Sequence, residues 1–144
     1  MRKQNDLSLG LLSSEEPQVF FDLNNGQGTF LYNHNIKEVF VIKDGDEGIS
    51  ITEDEESATD IMYQYDSIRV EFPKTSDNIF ATLLASKYPT AKESKLINEY
   101  QSAVLGLLDN SFKKPYEDYL KDRLSMRSSV EYDCEVSNIP LRYE

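Results

Sequence analysis

The stretch Ile68-Arg69-Val70-Glu71-Phe72-Pro73 lies where the spacing of apolar residues changes along this chain of 144 residues. Up to Phe72, apolar and charged residues alternate, which is typical of a strand with one buried and one solvated face. Pro73 ends the alternation, because proline has no backbone N–H to donate to a sheet. Beyond it, apolar residues recur every three or four positions, as in an amphipathic helix. The chain therefore has a β part, residues 18–73, and a helical part, residues 74–144.

Short apolar runs separated by turn residues fill the β part and predict sequential strands. The segment Asn24-Asn25-Gly26-Gln27-Gly28 predicts a turn between the first two runs, because Asn-Gly tolerates a positive φ. The β-branched and aromatic run 38–42 predicts a further strand, paired with residues 49–52 in a second hairpin. Runs at 61–65 and 68–72 follow. Five or six short strands in this order predict an antiparallel meander with one wet face.

About three amphipathic helices are predicted in the helical part. Thr75 or Ser76 caps the first helix, and Thr90 with Glu93 forms a capping box for the second. Pro115 lies in the first turn of the third helix, which is expected to end near residue 130. The apolar stripe of the second helix comprises Leu96, Ile97, Tyr100, Val104, Leu107 and Leu108. Strands followed by helices, without alternation, predict an α+β fold with residues 18–144 in a single domain.

Residues 1–17 mix polar residues and a glycine with several leucines, and they predict a flexible N-terminal arm. Such an arm can dock on a neighbouring subunit. Its apolar residues Leu9, Leu11 and Leu12 are therefore candidate interaction residues. The leucine stretch is too short and too polar for a signal peptide, so a cytoplasmic location is expected.

The net charge of −11 is concentrated in residues 1–72, which carry 15 acidic and 5 basic residues. A surface this negative repels phosphate backbones and anionic lipids, so we expect neither nucleic-acid nor membrane binding. It suits a basic protein partner. The clearest candidate binding site for such a partner comprises Glu53, Asp54, Glu55, Glu56 and Asp60. The alternative is that these residues form a solvated loop.

Tyrosine is abundant, with nine residues in the chain. Tyr63 and Tyr65 lie in one predicted strand and are candidate interaction residues, because tyrosine combines a large apolar ring with a polar tip. The alternative is that they are half-buried strand residues.

Asp44, Asp46 and Glu55 match the first, third and twelfth positions of a calcium-binding loop, but the match is incomplete. Gly48 stands at the fifth position, where an oxygen ligand is needed, and Ile49 stands at the sixth, where the loop requires glycine. The prediction is therefore an acidic turn without a metal ion.

Other chemical signals are equally incomplete. Gly26-Gln27-Gly28 lacks the third glycine of a dinucleotide-binding turn. His34 is the one histidine and is expected in a solvated loop. Cys134 lies between Asp133 and Glu135, whose negative charge disfavours a reactive thiolate. No catalytic residue, metal or cofactor is predicted.

The segment from Tyr88-Pro89-Thr90-Ala91-Lys92-Glu93 to Arg127 has a recognisable layout. It continues with Lys95-Leu96-Ile97-Asn98-Glu99-Tyr100-Gln101-Ser102-Ala103 and, after a break, with Tyr116-Glu117-Asp118-Tyr119-Leu120-Lys121-Asp122-Arg123. This layout resembles the helical C-terminal halves of small accessory proteins encoded among the tail genes of phages and prophages. The resemblance implies a role in virion assembly or structure, and a virion-associated location.

Three functional hypotheses follow from the sequence. The first is a non-enzymatic interaction or assembly protein that binds another protein or a second copy of itself. The second is an acidic decoy that mimics nucleic acid and occupies a basic protein site through residues 53–56 and Asp60. The third is an enzyme whose site is assembled from dispersed carboxylates and tyrosines.

Overall fold

The computed structural model of the protein describes residues 7–43, 45 and 48–141. Five antiparallel strands precede three helices, which confirms the predicted α+β class. The chain divides into two compact units, Met1–Phe72 and Pro73–Glu144. The division falls at the residue where the apolar spacing changes, so each of the two predicted parts is a compact unit of its own.

The first unit is a sheet built around one long central strand. Its strands are β1 (Leu7–Ser13), β2 (Phe20–Asp22), β3 (Phe30–Lys43), β4 (Ile49–Thr52) and β5 (Asp60–Val70). β5 pairs with β3 along most of its length, β2 and β4 pair with the opposite edge of β3, and β1 pairs with the outer edge of β5. Both predicted hairpins are present, but β5 returns to β3 rather than to β4, so the strand order is not sequential.

The central strand is longer than its sequence predicts, because two predicted runs are joined through a polar segment. His34, which was expected in a loop, lies inside β3 opposite Asp66. The register shifts between His34 and Lys37, where Asn35 has a φ of +53°. A bulge of this kind absorbs an extra residue without ending the strand. The prediction of a loop at His34 was therefore wrong.

Part of the predicted N-terminal arm belongs to the sheet. β1 pairs with β5 so that Leu11 lies opposite Tyr65, and a second bulge lies between Ser8 and Leu11. Gly10 occupies this bulge with a φ of +65° and donates its N–H to Oδ1 of Asp66 at 3.0 Å. The glycine that made the segment resemble an arm is therefore the residue that lets the strand bulge.

The connection from β1 to β2 crosses one face of the sheet. The two strands lie on opposite edges, three strand spacings or about 14 Å apart. Residues 14–19 span at most about 20 Å when extended, so they pass almost directly over β5 and β3. The face beneath them carries Leu31, Asn33, Tyr65 and Ser67; we call it the crossed face.

The opposite face of the sheet holds the apolar core of the first unit. Its buried residues are Phe30, Tyr32, Val41, Met62, Ile68 and Val70. The ring of Phe20 stacks on Tyr32 at 5.3 Å between centroids and meets Phe30 edge-on at 6.2 Å. Burying these side chains fixes the register of β3 against β5, since a shift by one residue would turn them to the other face.

The second unit consists of α1 (Ser76–Lys87), α2 (Thr90–Val104) and α3 (Lys114–Val136). α3 packs against both other helices and is longer than predicted. The buried apolar residues of this unit are Ile79, Phe80, Leu83, Ala103, Tyr119, Val130 and Cys134. Within the part of the chain that the structure describes, no helix is both long and apolar enough to cross a bilayer.

The predicted apolar stripe of α2 was wrong at its C-terminal end. The helix ends at Val104, and Gly106 follows with a φ of +79°. Leu107 and Leu108 consequently lie outside the helix, and the side chain of Leu107 is 74% exposed.

The helix caps confirm one prediction and contradict another. Oγ1 of Thr75 accepts a hydrogen bond from the Asn78 N–H at 3.2 Å and caps α1, as expected. At α2 the cap residue is Pro89, and no side chain bonds to the first turn. The Glu93 carboxylate accepts a hydrogen bond from the Tyr119 hydroxyl instead, so the predicted capping box does not form.

The two threonines therefore differ in their contribution to stability. Thr75→Ala should lower the free energy of unfolding by about 1 kcal/mol, because it leaves an N–H of α1 without its acceptor. Thr90→Ala should change it by only a few tenths of that amount. Urea unfolding measures both variants, and Thr75→Ser, which keeps the hydroxyl, should restore most of the loss. Equal losses at the two positions would contradict the assignment of the caps.

Candidate functional site

The crossing of residues 14–19 forms a groove of about 400 Å³ on the crossed face. The floor comprises Leu31, Asn33, Tyr65 and Ser67. The walls are formed by Leu11 and Ser13 of β1, by residues 15–18 and by Phe21. The floor residues share one face because Asn33 lies directly opposite Ser67, and each of the other two is two positions along its strand. We call this feature the sheet groove.

Asn33 fastens the crossing segment to the central strand. Its backbone N–H donates to the Val19 carbonyl oxygen at 2.7 Å, and its Nδ2 donates to the Gln18 carbonyl oxygen at 2.8 Å. The bond from Nδ2 fixes the orientation of the side-chain amide, because a flipped amide would bring its oxygen against the Gln18 carbonyl oxygen. Asn33 is only 6% exposed, and its buried Oδ1 accepts no hydrogen bond from the described residues.

The walls of the sheet groove combine apolar and acidic residues. Leu11 and Phe21 belong to strands at opposite edges of the sheet, and their side chains are 37% and 43% exposed, respectively. Glu15 and Glu16 lie between them on the crossing segment. Partial burial, followed by the carboxylates of Glu38 and Glu16, raises the pKa of Tyr63, so the negative field extends along this face. Among the described residues that line the groove there is no lysine, arginine or histidine.

The structure brings together some of the predicted interaction residues. Leu11 and Tyr65 are a cross-strand pair and both line the sheet groove. Tyr63 lies two pairs further along, opposite Ser13, and its hydroxyl donates to Glu38 at 3.5 Å. Leu12 lies opposite Gln64, which places it on the other face of β1, and Leu9 is exposed beside the bulge.

Two of the five acidic candidate residues form bonds within the protein, and the other three are exposed. Asp54 accepts hydrogen bonds from the Ser57 hydroxyl at 2.6 Å and the Glu56 N–H at 3.1 Å, which lower its pKa and cap a short 3₁₀ turn. Asp60 forms an ion pair with Lys43 at 2.8 Å, and this lowers its pKa. Glu53, together with Glu55 and Glu56, is exposed.

The incomplete calcium loop is only partly covered by the structure. Asp44 and Asp46 lie outside the described residues, and Glu55 begins the 3₁₀ turn Glu55–Ser57. In the described ranges, no group of three or more histidine, cysteine or acidic residues is arranged to hold a metal ion. Cys134 is buried in the second unit, where burial raises the pKa of its thiol.

A cluster of four tyrosines in the second unit was not foreseen. Tyr88 meets Tyr119 at 4.7 Å between ring centroids, Tyr119 meets Tyr116 at 5.9 Å, and Tyr116 meets Tyr100 at 4.9 Å. The sequence placed Tyr100 on the apolar stripe of the second helix, but it carried no signal for the carboxylates that meet the hydroxyls of Tyr88 and Tyr119. We call these four residues the tyrosine cluster.

The hydroxyls of Tyr88 and Tyr119 join the helices. Tyr88 donates to Asp122 at 2.6 Å, Asp122 also pairs with Lys87 at 2.7 Å, and Tyr119 donates to Glu93. Burial, followed in each case by the bond to the carboxylate, raises the pKa of Tyr88 and of Tyr119 to about 12. Burial opposes ionisation of Asp122, but the bonds from Lys87 and Tyr88 outweigh it and lower the pKa of that carboxyl.

These pKa values predict how stability depends on alkaline pH. A tyrosine pKa raised in the folded state contributes stability that is complete below its unfolded value near 10 and is lost as pH approaches about 12. Tyr119→Phe should therefore destabilise the protein at neutral pH by about 1 kcal/mol, and this difference should shrink above about pH 10.

Urea unfolding at several pH values measures this difference, with the exposed Tyr132→Phe as the control. Ultraviolet titration should show one fewer late-ionising tyrosine in Tyr119→Phe. A stability difference that stays constant with pH would contradict the role assigned to the hydroxyl.

Comparison of the chain with protein-family models, with curated protein sequences and with solved structures finds no match. Function must then be inferred from the chemistry of the described residues. In the tyrosine cluster, the hydroxyls of Tyr88 and Tyr119 are bonded to carboxylates of the same unit. The sheet groove instead combines exposed apolar walls with a buried acceptor that has no donor among the described residues, and it is the candidate functional site.

Proposed function

We propose that the protein is a non-enzymatic binding module whose sheet groove receives a segment of a protein partner. The observation that carries this proposal is the pair of half-exposed apolar walls, Leu11 and Phe21, on either side of a polar floor that includes Asn33. Exposed aromatic and aliphatic side chains around a groove are characteristic of sites that bind other molecules.

A protein partner suits the composition of the sheet groove. Tyrosine, phenylalanine and leucine provide contact area, and Ser13 and Ser67 can donate or accept hydrogen bonds to a polypeptide backbone. The volume lies at the lower end of the range for ligand sites, about 300–1,000 Å³, which fits a few side chains of a partner.

An enzymatic role has less support from this site. Nucleophilic catalysis needs a nucleophile beside a base, and the hydroxyls of Ser13 and Ser67 in the lining donate to no carboxylate or histidine among the described residues. Glu15 and Glu16 are adjacent in sequence on an exposed segment.

The resemblance of residues 88–127 to phage tail accessory proteins supplies a setting for the proposed binding. In that setting the partner would be another virion protein or a second copy of this chain. The charge of −11 favours a partner with a basic surface.

Site-directed photocrosslinking in a lysate of the source cells tests the binding role. A benzophenone amino acid at Phe21 should give a discrete protein adduct, because this side chain lines the groove and is exposed. Leu11→Glu should reduce that adduct by about tenfold, since it places a charge on the opposite wall. The same crosslinker at the exposed Tyr132 is the control. Absence of an adduct at Phe21, or an adduct indifferent to Leu11→Glu, would contradict the proposal.

The acidic turn supports a second candidate function, that of a decoy for a basic protein. Glu53, Glu55 and Glu56 are exposed within four residues, although Asp54 and Asp60 are engaged internally. If these three carboxylates bind the partner, their replacement by glutamine should abolish complex formation, and affinity should fall steeply from about 0.05 to 0.5 M salt. Binding through the sheet groove should survive the triple replacement. Calorimetric titration of the captured partner separates the two functions.

A further inference from the structure

We propose that the sheet groove recognises an arginine side chain of the partner polypeptide, with Oδ1 of Asn33 accepting a hydrogen bond from its guanidinium group. This inference rests on the proposed binding function and names the chemical group that the groove selects. It follows from a buried acceptor on the floor, from the negative charge of the walls and from the aromatic residues beside them.

The buried Oδ1 of Asn33 accepts no hydrogen bond from the described residues, so a donor can be supplied by a water molecule or by a ligand. Asn33 cannot rotate to satisfy its own oxygen, because its Nδ2 and its backbone N–H are both bonded to the crossing segment. A buried acceptor without a donor is unfavourable and uncommon in folded proteins. A ligand N–H that reaches Oδ1 would remove this deficit on binding.

The charge around the acceptor selects a cation. Glu15 and Glu16 line the groove, and partial burial, followed by the charges of Glu38 and Glu16, raises the pKa of Tyr63 on the same face. Arg69 lies on this face opposite Leu31, but its Nε is paired with Glu71 at 3.1 Å. Among the described residues, neither Glu15 nor Glu16 forms an ion pair, so both carboxylates can meet a positively charged ligand.

The aromatic residues favour arginine over lysine. Phe21 and Tyr65 line the groove with Leu11 and Leu31. A guanidinium group is planar and weakly hydrated, and it can stack on an aromatic ring while its N–H groups bond to carboxylate and amide oxygens. The half-exposed walls would contact the residues that flank the arginine, which favours a polypeptide over the free amino acid.

Nuclear magnetic resonance of the isotope-labelled protein tests the inference with four probes. They are the capped peptide Leu-Gly-Arg-Gly-Leu, its citrulline and leucine versions at the central position, and arginine amide. The arginine peptide should bind about tenfold more tightly than the citrulline peptide, which keeps three of the five N–H donors but lacks the charge. It should also shift the side-chain carbonyl carbon of Asn33, whose oxygen gains a donor.

Matched charge variants locate the interaction. Glu15→Gln with Glu16→Gln should weaken binding of the arginine peptide by about tenfold and leave the citrulline peptide almost unaffected. Glu53→Gln with Glu55→Gln makes the same change in net charge on the acidic turn and should alter the affinity by no more than about twofold. Asn33→Ala also removes the bond to Gln18, so if it unfolds, the wild-type carbonyl shift alone decides the role of Oδ1.

The outcomes separate this inference from the proposed function. Equal binding of the arginine and leucine peptides in the groove would overturn the inference and leave the binding function standing. Absence of any shift at Asn33, or binding of arginine amide as tight as that of the peptide, would also overturn it. A crosslink at Phe21 that Leu11→Glu does not reduce would overturn the binding function itself.

Discussion

The first unit depends on the passage of residues 14–19 across the face of the sheet. β1 and β2 lie on opposite edges, so this short connection must lie over β5 and β3, where its backbone groups are partly removed from water. Buried backbone carbonyls need donors. Asn33 supplies two, to Val19 and to Gln18, and thereby holds the crossing in place. The sheet groove is the space that this tethered segment leaves beside β1 and β2.

The bulges on either side of β5 are linked through one carboxylate. Asp66 accepts a hydrogen bond from the Gly10 N–H at 3.0 Å and another from Nδ2 of Asn35 at 2.8 Å. Gly10 lies in the bulge of β1 and Asn35 in the bulge of β3. Bulges bend a strand and increase its twist. Asp66 therefore holds in register two strands that both contribute to the groove.

Much of the fold could be predicted from sequence because it depends on local patterns. The turn at residues 24–28, the Thr75 cap and the change of spacing at Pro73 each act within a few residues, and each is found where it was expected. Thr90 has the right spacing for a capping box, but Glu93 instead bonds to Tyr119, a residue 26 positions away. Sequence spacing cannot show such a competing partner, because tertiary packing decides it.

The candidate site was only partly predictable for the same reason. Leu11 and Tyr65 were selected separately, from an arm and from a strand, and only the pairing of β1 with β5 shows that they are opposite each other. Asn33 was not selected at all. It is followed by His34 and Asn35, and three consecutive polar residues are typical of a loop rather than of the middle of a central strand.

Residues that break the local pattern of a strand are expected where function or strain requires them, and here the three interruptions can be compared. Gly10 satisfies its N–H with Asp66, and Asn35 satisfies its amide nitrogen with the same carboxylate. Each of these two interruptions is explained by the bulge that it stabilises.

Asn33 is different, because after it has bonded the crossing segment its Oδ1 remains buried without a donor among the described residues. An acceptor left in this state costs about 1–3 kcal/mol, a large share of the stability of a unit this small. A chain that needed Asn33 only to hold the crossing would gain stability by covering that oxygen with a donor of its own. The binding proposed for the sheet groove would supply this oxygen with a donor.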